Sequence, residues 1–241
     1  MKALPIVTRR IEPNEDIFPL LVSVLPRPLK NGDVLIVTSK VISFAEGQIV
    51  PCRNEKELHE LIAKEADEIV EDEESKGFLL TKKQGMFLPN AGIDRSNVPE
   101  GYAVLLPKNA QASAEHLRNA LQKQFAIEHL GILIVDSRIL PFRQGISGIP
   151  LGIAGFSAIS DERGKPDLFG KPLRVSQIAV ADVLAAFAQL FFGQSAESCP
   201  FLLLEDAPVF FTDQSQHPEE LCIDPKDDLF HALFREGKNS F

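Results

Sequence analysis

The sequence predicts a globular chain that mixes α-helices with β-strands, and three observations carry that prediction. Apolar residues make up 44% of the 241, an ordinary share for a chain that buries a core. Short β-branched runs such as "DVLIVT" and "GILIV" have the length and composition of buried strands. Longer stretches such as "NAQASAEHLRNALQKQFAIEHL" space their apolar residues at helical intervals.

The elements follow in order. Residues 33–38 read as a strand between a Gly-Asp turn and the polar pair Ser39-Lys40, with extended chain expected after it. Residues 54–76 read as one amphipathic helix, with Leu58, Leu61, Ile62, Ala66 and Ile69 inward and an acidic, solvated outer face. The stretch "NAGIDRSNVPEGYAVLLP", residues 90–107, is a turn-rich loop entering an apolar run from Tyr102 to Leu106. Ala114, Leu117, Leu121 and Phe125 form the apolar face of a second helix. "LGILIVDS" is a buried strand that ends on Asp136-Ser137. "PLGIAGFSAI" is small and apolar, a strand expected beside something closely packed. A helix of nearly unbroken Ala, Leu and Val is expected to begin near Ser176, end at Gly193 and lie centrally in the core. "CPFLLLED" is a further strand, and "DDLFHALFR" a short amphipathic piece in the tail. No repeat or low-complexity linker marks a boundary. Residues 1–241 therefore read as one domain, or as two interleaved lobes, with 207–241 as an irregular C-terminal extension.

Composition narrows the function classes. A net charge of −9 argues against nucleic acid as a partner. It leaves room for anionic small ligands held by local Lys and Arg. No run reaches about 18 apolar residues, so no membrane span is expected. Pro and charges interrupt the N-terminal segment at once, unlike a signal peptide. Cys52, Cys199 and Cys222 are odd in number and lack metal-type spacing. That suits a reducing cytoplasm, which is the expected location. His59, His116, His129, His217 and His231 are scattered in polar or helical contexts and read as structural or surface residues.

Polar groups gather at the ends of the buried elements: Ser39-Lys40, Asp136-Ser137 and Gly193-Gln194. Asp94 and Asn97 add a further pair in the 90–107 loop. An Asx-type turn alone would account for Asp94, but polar groups at element ends commonly converge on a ligand. Two carboxylates with nearby hydroxyl and amide oxygens suit a hard cation, Mg²⁺ or Mn²⁺, rather than zinc. Such a cation keeps positions open for water and phosphate, and Lys40 offers a point charge for phosphate. Neither a G-x-x-x-x-G-K-[ST] nor a G-x-G-x-x-G run is present. From the residues alone, the reading stops at a metal and phosphate site.

The motifs "DVLIVTSKVISFAEGQIV", "AGIDRSNVPEGYAVLLP", "IVDSRILPFRQG", "DERGKPDLFGKPLRV" with the alanine-rich helix after it, and "CPFLLLED" resemble, in order and spacing, the coenzyme F420-0:γ-glutamyl ligases. The resemblance spans residues 1 to about 206. The tail and the "DSRILPFRQG" variant are similar to a bacterial branch described as folate-metabolism γ-glutamate ligases. The resemblance implies a mixed α+β fold, with mixed and antiparallel sheets, in an intertwined homodimer. It implies that Asp94, Asp136, Ser137 and Gln194 bind divalent metal. It further implies that Thr8, Arg9, Arg10, Ile11, Ser39, Lys40 and Asn97 contact GTP. Asp94, Asp136 and Lys40 are then the expected catalytic residues. The implied reaction uses GTP and L-glutamate. The acceptor's γ-carboxylate becomes an acyl phosphate, which the glutamate amine attacks with release of phosphate and GDP.

Two positions depart from the family pattern. Phe44 stands where the family has a nucleotide-contacting Lys, and Ile139-Leu140 stands for Gly-Arg. Arg138, Arg143 and Lys165 are the candidate replacements for the lost cations. Restoring Lys at position 44 is expected to tighten GTP binding by roughly 1 kcal/mol if that position faces the nucleotide. An apolar wall of Ile139, Leu140 and Phe142 would suit a pterin. A folate-type monoglutamate is therefore expected to be extended faster than F420-0. Phe44 and Leu140 also motivate a rival reading, a nucleotide- or cofactor-binding protein without catalysis. A purely structural interaction protein is a third, resting on the acidic helix and the apolar tail.

Overall fold

In chain order the protein runs β1 (Lys2–Ile6), α1 (Ile17–Val24), β2 (Asp33–Thr38), α2 (Ser39–Ala45), β3 (Ile49–Pro51), α3 (Glu55–Glu65), β4 (Glu68–Ser75), β5 (Phe78–Lys83), β6 (Met86–Pro89) and β7 (Tyr102–Val104). It continues with α4 (Ala110–Phe125), β8 (Leu130–Ile139), β9 (Ile146–Ala154), β10 (Ile159–Asp161), β11 (Gln177–Ala179), α5 (Val180–Phe192) and β12 (Phe201–Glu205). The computed structural model describes residues 1–75, 77–224 and 226–230.

The centre is a five-stranded mixed sheet in the order β1-β12-β2-β8-β9. Only β2 and β8 run parallel; the other neighbours are antiparallel. Both faces are covered, which is why β2 reads as unbroken Val-Leu-Ile-Val. Leu35, Val37, Ile132 and Ile134 face a core closed by α1, α2 and α4, through Leu21, Ile42, Leu117 and Leu121. Val34, Ile36, Leu133 and Val135 face the other side, where α5 seats Ala181, Leu184, Ala185 and Ala188. Asp33, fully buried at the start of β2, takes two bonds from the Arg27 guanidinium at 2.8 Å each.

The small residues of β9 answer to close neighbours, as expected. A Cβ on Gly148 would fall 2.0 Å from the Ala185 carbonyl oxygen of α5, and one on Gly152 would fall 2.3 Å from that of Ala110 in α4. The mixed helix–strand composition expected from the sequence is therefore present. Several elements nevertheless differ from their expected form.

The segment 54–76 is not one helix. α3 starts at the Asn54 cap, whose side chain accepts the Glu57 amide at 2.9 Å, and buries Leu58 and Ile62. It stops at Glu65 because Ala66 turns extended, with ψ 140°. The β-branched pair that follows, Ile69-Val70, then joins a strand, β4, against β5. Of 71–75 the structure describes the backbone alone, so the expected acidic outer face there lies outside the described side chains. After β2 the chain is helical, not extended: α2 packs Val41, Ile42 and Phe44 into the core. Helix α5 begins at Val180, because Gln177–Ala179 is held as a strand against β10. It is also one-sided, with Val183 and Leu190 exposed. Beyond Glu205 the described tail has a bridge at Phe211 and a short 3-10 turn, Pro218–Leu221. "DDLFHALFR" lies mostly outside the described residues, as does His231.

The long excursion between the parallel strands β2 and β8 holds two small sheets, β3-β7 and β4-β5-β6. With α3 they bury a separate cluster of Cys52, Leu58, Ile62, Leu79, Ile93, Ala103 and Leu105. That excursion delivers the 90–107 loop back to the main sheet. Among the described residues, no helix is long and apolar enough to cross a membrane.

Candidate active site

Strand directions decide where the polar groups meet. β2 and β8 are parallel, with Thr38 opposite Val135. The residues that follow, Ser39 and Asp136, must therefore be neighbours at the carboxyl ends, where open sheets with parallel strands bind ligands. β12 runs antiparallel to both β1 and β2, with Phe201 opposite Ile6 and Val37. Its leading loop, 193–200, and the Thr8–Ile11 segment after β1 consequently arrive at the same end. The loop after β6 enters from the excursion, pinned by paired Asp94 and Val104 backbones at 3.0 and 2.8 Å.

A cavity of about 470 Å³ lies at this junction. Its walls include every residue expected to bind metal or GTP or to take part in the chemistry: Thr8, Arg9, Arg10, Ile11, Ser39, Lys40, Asp94, Asn97, Asp136, Ser137 and Gln194. Residues from five separate stretches thus share one space.

Two carboxylates dominate its chemistry. The Lys40 ammonium donates to Asp94 Oδ2 at 2.7 Å and to the Ser96 carbonyl and hydroxyl oxygens at 2.9 and 3.1 Å. Asp94 Oδ1 accepts the Ser96 amide at 2.6 Å, and Oδ2 accepts the Ser96 hydroxyl at 2.8 Å. Partial burial pushes the Asp94 pKa up, but Lys40 and the Ser96 bonds outweigh it and hold it below the usual carboxylate value. The Asx-type turn is therefore real, and the same carboxylate also carries an ion pair across the site.

Asp136 is placed differently. It keeps part of its surface open to the cavity but lies deep among protein atoms, and burial raises its pKa to about 6. The Ser137 amide, at 2.9 Å, and the Ser39 hydroxyl oppose that shift, while the Asp94 charge adds to it. Successive residues Ser39 and Lys40 thus each grip one carboxylate. Among the described residues Asp136 has neutral donors and Asp94 has the cation.

Other expected residues have partners of their own. Asn97 Nδ2 donates to the Ser195 carbonyl at 2.9 Å, and Gln194 Nε2 to Gln189 Oε1 at 3.1 Å. Arg9 is paired with Glu15. Thr8 is buried, and its hydroxyl finds no hydrogen-bond partner among the described residues.

The oxygens of Asp94, Asp136, Ser137 and Gln194 could hold a hard cation. Among the described residues no group of three or more His, Cys, Asp or Glu is arranged for a metal. Two carboxylates with hydroxyl and amide oxygens match a Mg²⁺-like site completed by water and phosphate.

The replacement cations do not reach this space. Arg138 bonds Asp182 at 3.0 Å, and Lys165 bonds Glu162 at 2.6 Å. Neither lines the cavity, nor does Arg143, whereas Arg9 and Arg10 do. Phe44 lines it but is 6% exposed and belongs to the main core. Ile139, Leu140 and Phe142 stand exposed at the far end of β8, so within this chain they form no wall of the cavity. Four of the histidines, His59, His116, His129 and His217, lie away from it.

Ser96 is the residue that sequence reasoning passed over. It touches both Lys40 and Asp94, and its position two residues after an Asp in an Asx turn was the available signal. Ser198 was also missed; its carbonyl takes the Thr8 amide at 2.9 Å and ties the 193–200 loop to the N-terminal segment.

Comparison with known proteins agrees with the motif resemblance. A family model described as F420-0:Gamma-glutamyl ligase matches residues 5–206. The chain is 33% identical over 235 residues to a Coenzyme F420:L-glutamate ligase of Methanococcus maripaludis, covering 91% of this chain and 93% of that protein. It is 38% identical over 194 residues to a protein of the same name from Archaeoglobus fulgidus, covering 75% of this chain and 78% of the relative. A third, from Haloarcula marismortui, is 31% identical over 248 residues, covering 94% of this chain and 93% of the relative.

Proposed function

Since the chain belongs to the F420-0:γ-glutamyl ligase family, we propose that it is a GTP- and divalent-metal-dependent ligase that joins L-glutamate to the γ-carboxylate of an F420-type acceptor. The observation that carries this reading is the meeting of Asp94, Asp136 and Lys40 with the Thr8–Ile11 and Gly193–Ser198 segments around one cavity. A carboxylate is a poor electrophile, so amide formation needs activation. The γ-phosphoryl of GTP passes to the acceptor carboxylate, giving an acyl phosphate and GDP. The glutamate amine then attacks the acyl carbon and phosphate leaves.

Each group has a task in that sequence. Mg²⁺ or Mn²⁺, when bound, neutralises phosphate oxygens during in-line transfer. Asp94 and Asp136 would hold it, with Ser137 and Gln194 adding neutral oxygens. Lys40 offsets phosphate charge. Arg10, Thr8 and Asn97 orient the nucleotide. Ser39 holds the Asp136 carboxylate through its hydroxyl.

A folate-type monoglutamate is a second reading of the acceptor. It is favoured by one observation, that β8 runs out in exposed Ile139 and Leu140 where the resembled motif has a cation. The homodimer expectation draws support from exposed Leu168, Phe169, Val175 and Leu190 on the β10–β11 hairpin and the outer face of α5, apolar surface suited to a second copy.

Incubation of purified protein with GTP, Mn²⁺, L-glutamate and F420-0 tests the assignment. Glutamate-dependent phosphate release with a product heavier by one glutamate is the expected result. GTP binding without release identifies a non-catalytic binder instead.

A further inference from the structure

An ammonium group has three protons to donate, and Lys40 uses all of them inside the protein. Its acceptors are Asp94 Oδ2, the Ser96 carbonyl and the Ser96 hydroxyl, at 2.7, 2.9 and 3.1 Å. No N–H remains to meet a phosphate. The carboxylate is largely engaged: Oδ2 accepts both Lys40 and the Ser96 hydroxyl, while Oδ1 accepts only the Ser96 amide among the described residues and keeps a lone pair open. Lys40 thus stands against the carboxylate that a divalent cation would need, and Asp94 stands against the ammonium that a phosphate would need.

We infer that Lys40 is an internal counter-ion for Asp94, which it surrenders when a divalent cation and a phosphate arrive together; this rests on the metal and nucleotide roles proposed above. The exchange is balanced in charge. The cation replaces the ammonium on Asp94, and the phosphate replaces the carboxylate on Lys40. Either ligand alone breaks the existing ion pair and leaves one charged partner uncompensated. Both together leave none. Metal and nucleotide must therefore help each other bind, and each strengthens the other by the same factor.

Asp136 explains why the arrangement needs a mobile cation. Among the described residues its donors are the Ser137 amide and the Ser39 hydroxyl, so the pair of carboxylates shares one nearby lysine. The Lys40 side chain is 28% exposed and Asp94 45%, so neither is sealed in place and the ammonium has a path into the cavity. Ser96 is suited to the release, because its hydroxyl both accepts from Lys40 and donates to Asp94. When the ammonium leaves, that donation persists and keeps the carboxylate oriented.

The test is a Mn²⁺ titration of the full chain, read by the electron paramagnetic resonance of the free ion, without and with GTP, protein binding being the loss of signal beyond that of a protein-free Mn²⁺–GTP mixture. Wild-type protein is expected to bind Mn²⁺ weakly alone and much more tightly with GTP. Lys40→Met removes the competing charge at similar length. It should tighten Mn²⁺ binding without nucleotide by about fivefold to tenfold and shrink the GTP-induced gain. Lys40→Arg keeps the charge and should bind Mn²⁺ alone as weakly as wild type. A role in packing alone would move both variants alike, and that result overturns the proposal. So does unchanged or weaker Mn²⁺ binding by Lys40→Met when the wild type shows GTP-enhanced binding; the metal and nucleotide reading then survives without the exchange. Absence of Mn²⁺ binding in all three proteins, with GTP present, overturns the metal reading and the exchange together.

Discussion

Asn97 donates from Nδ2 to the Ser195 carbonyl at 2.9 Å, joining two loops that are 98 residues apart in the chain. One loop carries Asp94 and the other Gln194, so this bond ties together two loops that line the cavity. Asn97 sits in the left-handed region, φ 54°, which Asn and Asp tolerate best among residues with a side chain.

Asn97→Asp is therefore the informative change. It keeps the backbone conformation, removes the donor and sets a carboxylate against a carbonyl. Loss of one bond with added repulsion should cost about 1.4 kcal/mol, or roughly tenfold in GTP affinity. Calorimetric titration with GTP in the presence of Mn²⁺ measures it. Unaltered affinity would mean that the two loops hold their spacing by other contacts.

Asp94→Ala and Asp136→Ala should each abolish turnover while leaving the fold near normal. Asp94 is held by its backbone pairing with Val104, which alanine keeps. Asp136 lies in β8, whose pairing with β2 and β9 needs no carboxylate. Melting temperatures are expected within about 3 °C of wild type, the scale of a change of roughly 1 kcal/mol in a domain of this size. Near wild-type activity of either variant at limiting Mn²⁺ would remove that residue from the ligand set.

The residues that gather around the cavity were more legible than the fold that gathers them, for a physical reason. Ser39-Lys40 and Asp136-Ser137 each follow a strand buried on both faces, and such a run ends abruptly in polar residues; Gln194 follows the glycine that ends α5. Those transitions are local, so the sequence shows them directly. The division of 54–76 into α3 and β4 was hidden, because Ile69 continues the helical spacing of Leu58, Leu61 and Ile62. Only pairing with β5 makes Glu68–Ser75 a strand, and pairing is a tertiary effect that overrides local pattern. Helix α2 was hidden by its brevity and by β-branched Val41 and Ile42, which favour strand locally. The Lys40–Asp94 pair spans 54 residues. No spacing rule could have announced it.

Phe44→Lys now has two expected effects. The ring is packed among core residues, and replacing it with an ammonium chain should cost about 3 kcal/mol of stability. For a domain of this size that is a fall of roughly 6–12 °C in Tm. Phe44 also lines the cavity. A lysine stem can lie along the apolar wall with its charge in the opening, so GTP affinity should rise by roughly 1 kcal/mol when measured well below the new Tm. Equal GTP affinity in the folded variant would mean that the ammonium turns away from the phosphates.

The acceptor is tested at the end of β8. Leu140 directly follows β8, four positions after Asp136, so the two are at most about 13 Å apart at roughly 3.3 Å per residue. An acceptor whose reacting carboxylate lies beside Asp136 can run along the strand and bring its body to Leu140. Leu140 is 38% exposed and outside the cavity wall, so an arginine there meets no packing barrier. F420-0 carries a phosphodiester that an arginine can hold by paired hydrogen bonds; a folate-type monoglutamate carries none. Leu140→Arg should therefore raise kcat/KM for F420-0 by about fivefold, mainly through KM, and leave the folate-type acceptor unchanged or poorer. The wild-type ratio of the two kcat/KM values, from product mass spectrometry with both acceptors in one mixture, separates the two acceptor readings. A higher value for F420-0 supports the first, and a higher value for the folate-type monoglutamate supports the second. An unaltered ratio in Leu140→Arg would show that the body of the acceptor leaves the site by another route than β8.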